Sequence, residues 1–209
     1  MIGFYNVSVI LTYIGLASSV CGMFLALEGE LYWAIICLMF SGVCDMFDGK
    51  IARRTKRTED AKLFGIQIDS LCDLVCFGVF PVIICRCAGV GGVFGIMCLV
   101  LFVLAAVIRL GYYNVTEQKR QQETEESRKY FQGMPVSGIP LLLTMYYMTK
   151  AFTGDAFPTV LAALMLVNAV LNVANIRVRK PGPILGCVMI LMGIALASAF
   201  FVMSSKGLL

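Results

Sequence analysis

Long apolar runs separated by short polar connections dominate the sequence. Seven stretches, at about 7–27, 31–49, 65–86, 91–114, 135–152, 157–176 and 183–204, are each long enough as helices to cross roughly 30 Å of hydrocarbon at about 1.5 Å per residue. The pattern predicts an all-α, polytopic transmembrane helix bundle of about seven spans, forming a single integral-membrane domain over residues 1–209. The second and third stretches end in polar residues and are expected to protrude beyond the bilayer toward each other. The opening residues Met-Ile-Gly-Phe-Tyr-Asn carry no positive charge. The stretch after them is longer than a signal-peptide core and reads as a permanent first span.

The connections differ in sign. Residues 50–62 hold Lys50, Arg53, Arg54, Lys56, Arg57 and Lys62. Residues 115–130 carry Lys119, Arg120, Arg128 and Lys129 among glutamates, and 177–180 add Arg177, Arg179 and Lys180. The intervening turns hold only Glu28, Glu30, Lys150 and Asp155 with glycines. Excess Lys and Arg marks the cytoplasmic side, so with seven spans all three basic connections share the cytoplasmic face. Residues 115–130 read as a solvated, mobile connection.

Composition narrows the class. The chain is 59% hydrophobic and 14% charged, with a mean hydropathy of +0.86, against roughly a quarter charged in ordinary soluble domains. A separate soluble domain is not expected, and the basic runs beside spans suit anionic lipid head groups better than nucleic acid. Histidine is absent, which leaves acid–base work to carboxylates, Lys, Tyr or Cys. The nine cysteines lie mostly inside apolar runs, with no Cys-x-x-Cys and no zinc-type spacing. They read as small packing residues.

Two stretches stand out: Asp45-Met-Phe-Asp48-Gly49-Lys-Ile-Ala52-Arg53, and Gly65-Ile-Gln-Ile-Asp69-Ser-Leu-Cys-Asp73. Carboxylates at membrane depth are costly unless paired or bound to a cation. At about 100° per residue, Asp45, Asp48, Gly49, Ala52 and Arg53 fall within an arc of roughly 140° on one helix, and Gly65, Asp69 and Asp73 form a stripe of about 80° on the next. An antiparallel hairpin would bring the stripes face to face. Two unit charges about 6 Å apart repel by roughly 3 kcal/mol at an effective dielectric near 20, so clustered carboxylates call for a counter-charge. Hard oxygen donors suit Mg²⁺, Mn²⁺ or Ca²⁺ rather than zinc or copper, and the number of acids leaves room for two ions. Gly49, Ala52 and Gly65 remove bulk beside the acids, serving either helix packing or substrate approach.

The pattern D-x-x-D-G-x-x-A-R, a gap from Arg54 to Phe64, then G-x-x-x-D-x-x-x-D resembles the CDP-alcohol phosphotransferases at all its defining positions: Asp45, Asp48, Gly49, Ala52, Arg53, Gly65, Asp69 and Asp73. The run from Asp69 to Pro81 is similar to the D-S-L-A-D-L-V-S-F-G-V-A-P of bacterial and archaeal phosphatidylserine synthases. Arg109-Leu-Gly-Tyr-Tyr-Asn114 resembles their R-L-A-R-F-N, and Phe131-Gln-Gly133-Met-Pro135 their F-x-G-L-P. Ala174–Pro181 loosely matches a later basic turn, so the resemblance runs from about residue 40 to 181. Tyr112 stands where that subfamily carries a second arginine, and Cys72 and Cys76 where Ala and Ser are usual.

The resemblance implies metal-dependent transfer of a phosphatidyl group from CDP-diacylglycerol, or CDP-archaeol, to L-serine, with release of CMP. It assigns Asp45, Asp48, Asp69 and Asp73 to one or two Mg²⁺ or Mn²⁺ ions, and Asp73 also to the general base. Asp45, Asp48, Gly49, Ala52, Arg53 and Gly65 would line the CDP site. Arg109, Tyr112 and Asn114 are candidates for the acceptor or its phosphate, and Arg109 also reads as a snorkelling arginine. The expected setting is the cytoplasmic membrane, with the cleft toward the cytoplasm and the chain a homodimer; six spans, as in shorter family members, are the alternative. Glycerol phosphate, inositol or inositol phosphate remain alternative acceptors, although Ser70 after Asp69 favours serine. A cation transporter is the alternative of another class, against which stands the single clustering of the acids.

Overall fold

The computed structural model describes residues 3–4, 6–54, 58–123, 130–179, 194–195, 198 and 201–202, with the backbone alone for 53–54, 121–123, 130–132 and 177–179. The expected seventh span, 183–204, lies almost wholly outside the described residues.

The architecture is helical. Asn6 caps α1 (Val7–Leu27), its side chain accepting from the Val9 N–H at 3.0 Å and from the Ser8 hydroxyl at 2.6 Å. Gly29, at φ +89°, turns the chain into α2 (Leu31–Arg54). Thr58 caps α3 (Glu59–Asp73) by accepting from the Ala61 N–H at 3.3 Å, and Glu59 and Asp60 place negative charge at its first turn, where the helix dipole favours it. A π-helical turn, Leu74–Val79, joins α3 to α4 (Phe80–Cys87). Pro81 offers no N–H and would crowd the carbonyl four residues back. One extra residue in the turn, seen as Phe80 N–H donating to the Val75 carbonyl, absorbs that conflict. After α5 (Gly92–Glu123) come β1 (Tyr130–Gln132), a 3₁₀ turn at Val136–Gly138, α6 (Ile139–Met148), the short α7 (Lys150–Thr153), α8 (Phe157–Val173) and β2 (Arg177–Arg179).

Among the described residues, five helical stretches are long and apolar enough to cross a membrane: Val7–Leu27, Leu31–Ala52, Glu59–Cys87, Gly92–Arg120 and Val136–Val173. The last is not one rod. It breaks between Thr149 and Ala156, where Gly154 takes φ +51°. The Met134 N–H then reaches the Leu171 carbonyl at 3.1 Å, and Asn168 donates to the Tyr146 hydroxyl at 2.8 Å. α6 and α8 therefore run back along each other.

Phe77, Phe80, Ile84, Ile35, Leu38, Phe102, Leu143, Leu161 and Met165 form a dry core contributed by α2, the π turn, α4, α5, α6 and α8. Outward, α5 exposes Val93, Ile96, Val100, Leu104, Ile108 and Val115. An apolar stripe of that length would be an aggregation hazard in water. Against acyl chains it is the expected surface, and the chain is an integral membrane protein.

Two features differ from the sequence expectation. The charged segment 115–130 is helical as far as Glu123, with Glu117 buried and paired to Arg120 at 2.6 Å, rather than a loose connection throughout. And the helical bundle carries a small antiparallel ladder, with Tyr130 opposite Arg179 and Gln132 opposite Arg177. Gly133 extends that ladder by donating to the Ile176 carbonyl at 2.8 Å, with φ +74°.

Candidate active site

α1 is the element that shapes the site. It packs along most of α2 and also touches α3, whereas among the described residues α2 and α3 do not pack side by side along their length. Glycines allow the close fit. A Cβ on Gly15 would stand 3.2 Å from the Cys44 Cβ, and one on Gly22 would stand 2.7 Å from the Cys37 Cβ and 2.3 Å from Cζ of Phe80. Small residues at helix crossings let backbones approach in this way.

In the opening between α2 and α3, Asp45 and Asp48, one turn apart on α2, meet Asp69 of α3. One carboxylate oxygen from each lies within 4.8 Å of the others. Asp48 is 4% exposed, and Asp45 and Asp69 are half-buried. The hydroxyl of Thr12, on α1, donates to Oδ2 of Asp48 at 2.6 Å. Ser137, in the 3₁₀ turn after Pro135, is a polar neighbour of Asp45. Asp73, one turn beyond Asp69, lies outside the three-acid group but interacts electrostatically with Asp45, Asp48 and Asp69.

This donor set fits a hard divalent cation. Oxygens bound to Mg²⁺ at about 2.1 Å lie roughly 3 Å apart when adjacent and roughly 4.2 Å apart when opposite, and those around Ca²⁺ reach about 5 Å. Three anionic oxygens within 4.8 Å of one another fall in that range. Among the described residues no nitrogen or thiolate donor belongs to the group, which argues against zinc or copper.

Beside the acids, α5 presents Arg109. It is 9% exposed, and its Nε is buried with no hydrogen-bond partner among the described residues. Its guanidinium interacts electrostatically with Asp73 and Tyr113. An orphaned donor on a buried cation is costly to leave unmatched, so the position suits an incoming anionic group. Asn114 accepts at 2.6 Å from the hydroxyl of Ser70, the residue after Asp69, and so ties α3 to α5.

The remaining sequence-predicted positions are distributed as follows. Gly49 and Ala52 are half-buried in the last turns of α2, and Gly65 is half-buried on α3. Arg53 has its backbone in α2, and its side chain is outside the described residues. Tyr112 is 53% exposed on the outer side of α5 and is not gathered with Arg109; its neighbour Tyr113 is the tyrosine that faces the arginine. Spacing alone does not separate the two, since Tyr112 and Tyr113 lie three and four residues after Arg109 and both intervals share its helix face. Thr12 and Ser137 were not foreseen, and no local motif marks either. Cys72 and Cys76 are buried free thiols.

Comparison with known proteins gives this geometry a family. A model described as CDP-alcohol phosphatidyltransferase matches residues 5–203. The chain is 37% identical over 121 residues to a CDP-diacylglycerol–serine O-phosphatidyltransferase of Saccharomyces cerevisiae, covering 56% of this chain and 43% of that protein. It is 27% identical over 164 residues to an archaetidylserine synthase of Methanothermobacter thermautotrophicus, covering 77% and 66%. A CDP-diacylglycerol–serine O-phosphatidyltransferase of Bacillus subtilis is 30% identical over 129 residues, covering 59% and 66%. The chain thus spans about half to two thirds of the length of the curated relatives it matches. With the motif positions on two adjoining helices and the family match running nearly end to end, the chain belongs to the CDP-alcohol phosphatidyltransferase family.

Proposed function

We propose that the chain transfers the phosphatidyl group of CDP-diacylglycerol, or of an archaeol-based equivalent, to the hydroxyl of L-serine and releases CMP. The observation that carries this reading is the convergence of Asp45, Asp48 and Asp69 at the end of apolar helices, in a family whose matched relatives bear phosphatidylserine- and archaetidylserine-synthase names. A CDP-lipid has acyl chains that need hydrocarbon and a nucleotide that needs water, so a cleft at a bundle's end suits it.

Asp45, Asp48 and Asp69 would hold Mg²⁺ or Mn²⁺, and Asp73, one turn beyond Asp69, is assigned to a second ion. Such an ion supplies positive charge where negative charge grows on the diphosphate and the departing CMP. Asp73 is the general base and takes the proton from the serine hydroxyl. The serine oxygen then bonds to the phosphorus that carries the lipid, and the bond from that phosphorus to the bridging oxygen breaks, leaving the electron pair on CMP. Gly49, Ala52 and Gly65 leave room for the nucleotide, and Arg53 is assigned to the same CDP site. Arg109 receives the serine carboxylate through its unmatched Nε–H, beside the base it interacts with. Asn114 acts from one step back, through Ser70. The basic connections support a cleft on the cytoplasmic side of the cell membrane, and the assembly is taken as a homodimer of single-domain chains.

The test uses purified protein with CDP-diacylglycerol or CDP-archaeol and a panel of serine, glycerol 3-phosphate, inositol and inositol phosphate, each with Mg²⁺, Mn²⁺ or excess chelator. CMP release should depend on serine and on the metal. Release driven by another alcohol would reassign the acceptor. Absence of CMP release with every alcohol would remove the transferase reading and return attention to cation transport.

A further inference from the structure

We infer that Thr12 is a positioning residue for the metal site: its hydroxyl locks the Asp48 carboxylate in the orientation that faces Asp45 and Asp69. This rests on the metal-binding role proposed above for the three aspartates and extends the site to a helix outside the family pattern.

The geometry is specific. Thr12 and Asp48 are 36 residues apart in sequence, and the 2.6 Å contact between Thr12 Oγ1 and Asp48 Oδ2 crosses from α1 to α2. The same oxygen lies 3.1 Å from the Ser8 carbonyl one turn back. A hydroxyl has one proton to give. The shorter distance and the anionic acceptor favour the carboxylate, since charge-assisted bonds are the stronger kind. Donation to Oδ2 leaves Oδ1, and the free lone pair of Oδ2, for a cation. A carboxylate without that anchor would rotate about its terminal torsion, whose energy surface is broad.

The rest of α1 is arranged to bring the hydroxyl there. Its start is fixed by the Asn6 cap, which binds both the Val9 N–H and the Ser8 hydroxyl. Gly15 sits three residues beyond Thr12, where a Cβ would press on Cys44 at 3.2 Å, and Cys44 is one turn before Asp48 on α2. The close approach that the glycine permits is what puts a short threonine within reach of the acid. Partners that orient metal ligands in this way typically contribute about 10- to 100-fold in metal affinity.

The experiment titrates Mn²⁺ alone into the full chain in lipid nanodiscs, following free Mn²⁺ by electron paramagnetic resonance. Wild type, Thr12→Val and Thr12→Ser are compared, with thermal midpoints measured in chelator alongside. Thr12→Val keeps the shape and removes the donor, and should weaken Mn²⁺ binding about 10-fold. Thr12→Ser should return it to within about threefold of wild type, by restoring the donor. A purely structural contact would lower the midpoint of Thr12→Val and leave its Mn²⁺ affinity alone, which overturns the inference. If Thr12→Val does not yield folded protein, Thr12→Ala is put through the same comparison. A wild type that binds no Mn²⁺ overturns the metal reading itself, and the inference with it.

Discussion

Replacing Asp69 with asparagine should change the sign of its effect on stability according to whether metal is present. Asp45, Asp48 and Asp69 have ligand oxygens within 4.8 Å of one another. At an effective dielectric near 20, each pair of charges at that distance repels by about 3.5 kcal/mol. Asp69→Asn removes two of the three pairs, a gross relief of about 7 kcal/mol. Water reaches the half-buried Asp45 and Asp69, and solvent-accessible charge pairs are measured at about 1 kcal/mol or less. A net gain of about 1–2 kcal/mol is therefore the reasonable figure, or roughly 2–8 °C in the midpoint for a chain of this size.

With saturating Mn²⁺ the order should reverse. Ligand at about 100 times its Kd stabilises the folded state by about 2.7 kcal/mol, and a site that has lost one of three anionic ligands should keep little of that. Thermal unfolding of wild type and Asp69→Asn, each in chelator and in Mn²⁺, gives four midpoints. The variant should be the more stable of the two in chelator and the less stable in Mn²⁺. Its turnover should fall at least about 10²–10³-fold, the scale for losing one group that stabilises transition-state charge. A variant less stable than wild type in chelator would refute the reasoning, because the acids would then be mutually supported without an ion.

Three further substitutions probe the surroundings. Gly133→Ala would put a Cβ 2.6 Å from the Asn172 carbonyl oxygen at a φ of +74°; the clash and the left-handed strain should lower stability by about 2–4 kcal/mol, read as a midpoint shift in chelator. Ser70→Ala removes the donor to Asn114, and steady-state kinetics should show the KM for serine rising about 3- to 10-fold, as for loss of a hydrogen bond of about 1 kcal/mol, with the KM for CDP-lipid changed less. Arg109→Gln removes the buried guanidinium charge, and kcat/KM for serine should fall by about 10²-fold or more, the scale for a charge-assisted contact; an unchanged serine KM would take Arg109 out of the acceptor site.

The acids were legible because helix geometry converts a sequence interval directly into a shared face. Asp45 with Asp48, and Gly65 with Asp69 and Asp73, needed no tertiary information beyond the meeting of two helices close in sequence. Thr12 and Ser137 were not legible, because nothing near either residue in sequence records which acid it will meet. The same limit hid the pairing of 130–132 with 177–179. Each strand is three residues long, too short for an alternating pattern to show. The helical continuation of α5 past residue 115 was obscured by its charge, although Glu117 and Arg120 stand at the i, i+3 spacing that supports a helix. Tyr112 was set beside Arg109 by resemblance; helix periodicity puts both Tyr112 and Tyr113 near the face of Arg109, and it is the packing of α5 that leaves Tyr112 outward.

The position of α1 explains why α2 and α3 do not close into a packed hairpin. Two helices joined by a short turn, each carrying small residues near the turn, would ordinarily pack directly, and a direct α2–α3 contact would leave the acids facing each other with no room for a diphosphate. Here α1 takes α2's packing face through Gly15 and Gly22 and also touches α3. Ser70 meanwhile fastens α3 outward to Asn114 of α5. α3 is thus held from both sides, away from α2 along its length yet near enough at Asp69 to complete the three-acid group. The repulsion among the acids acts in the same direction as these contacts, since it opposes closure until a cation enters. Separation of the two helices and the approach of Asp45, Asp48 and Asp69 then follow from one arrangement, in which the protein's own packing gathers the acids without laying α2 and α3 side by side.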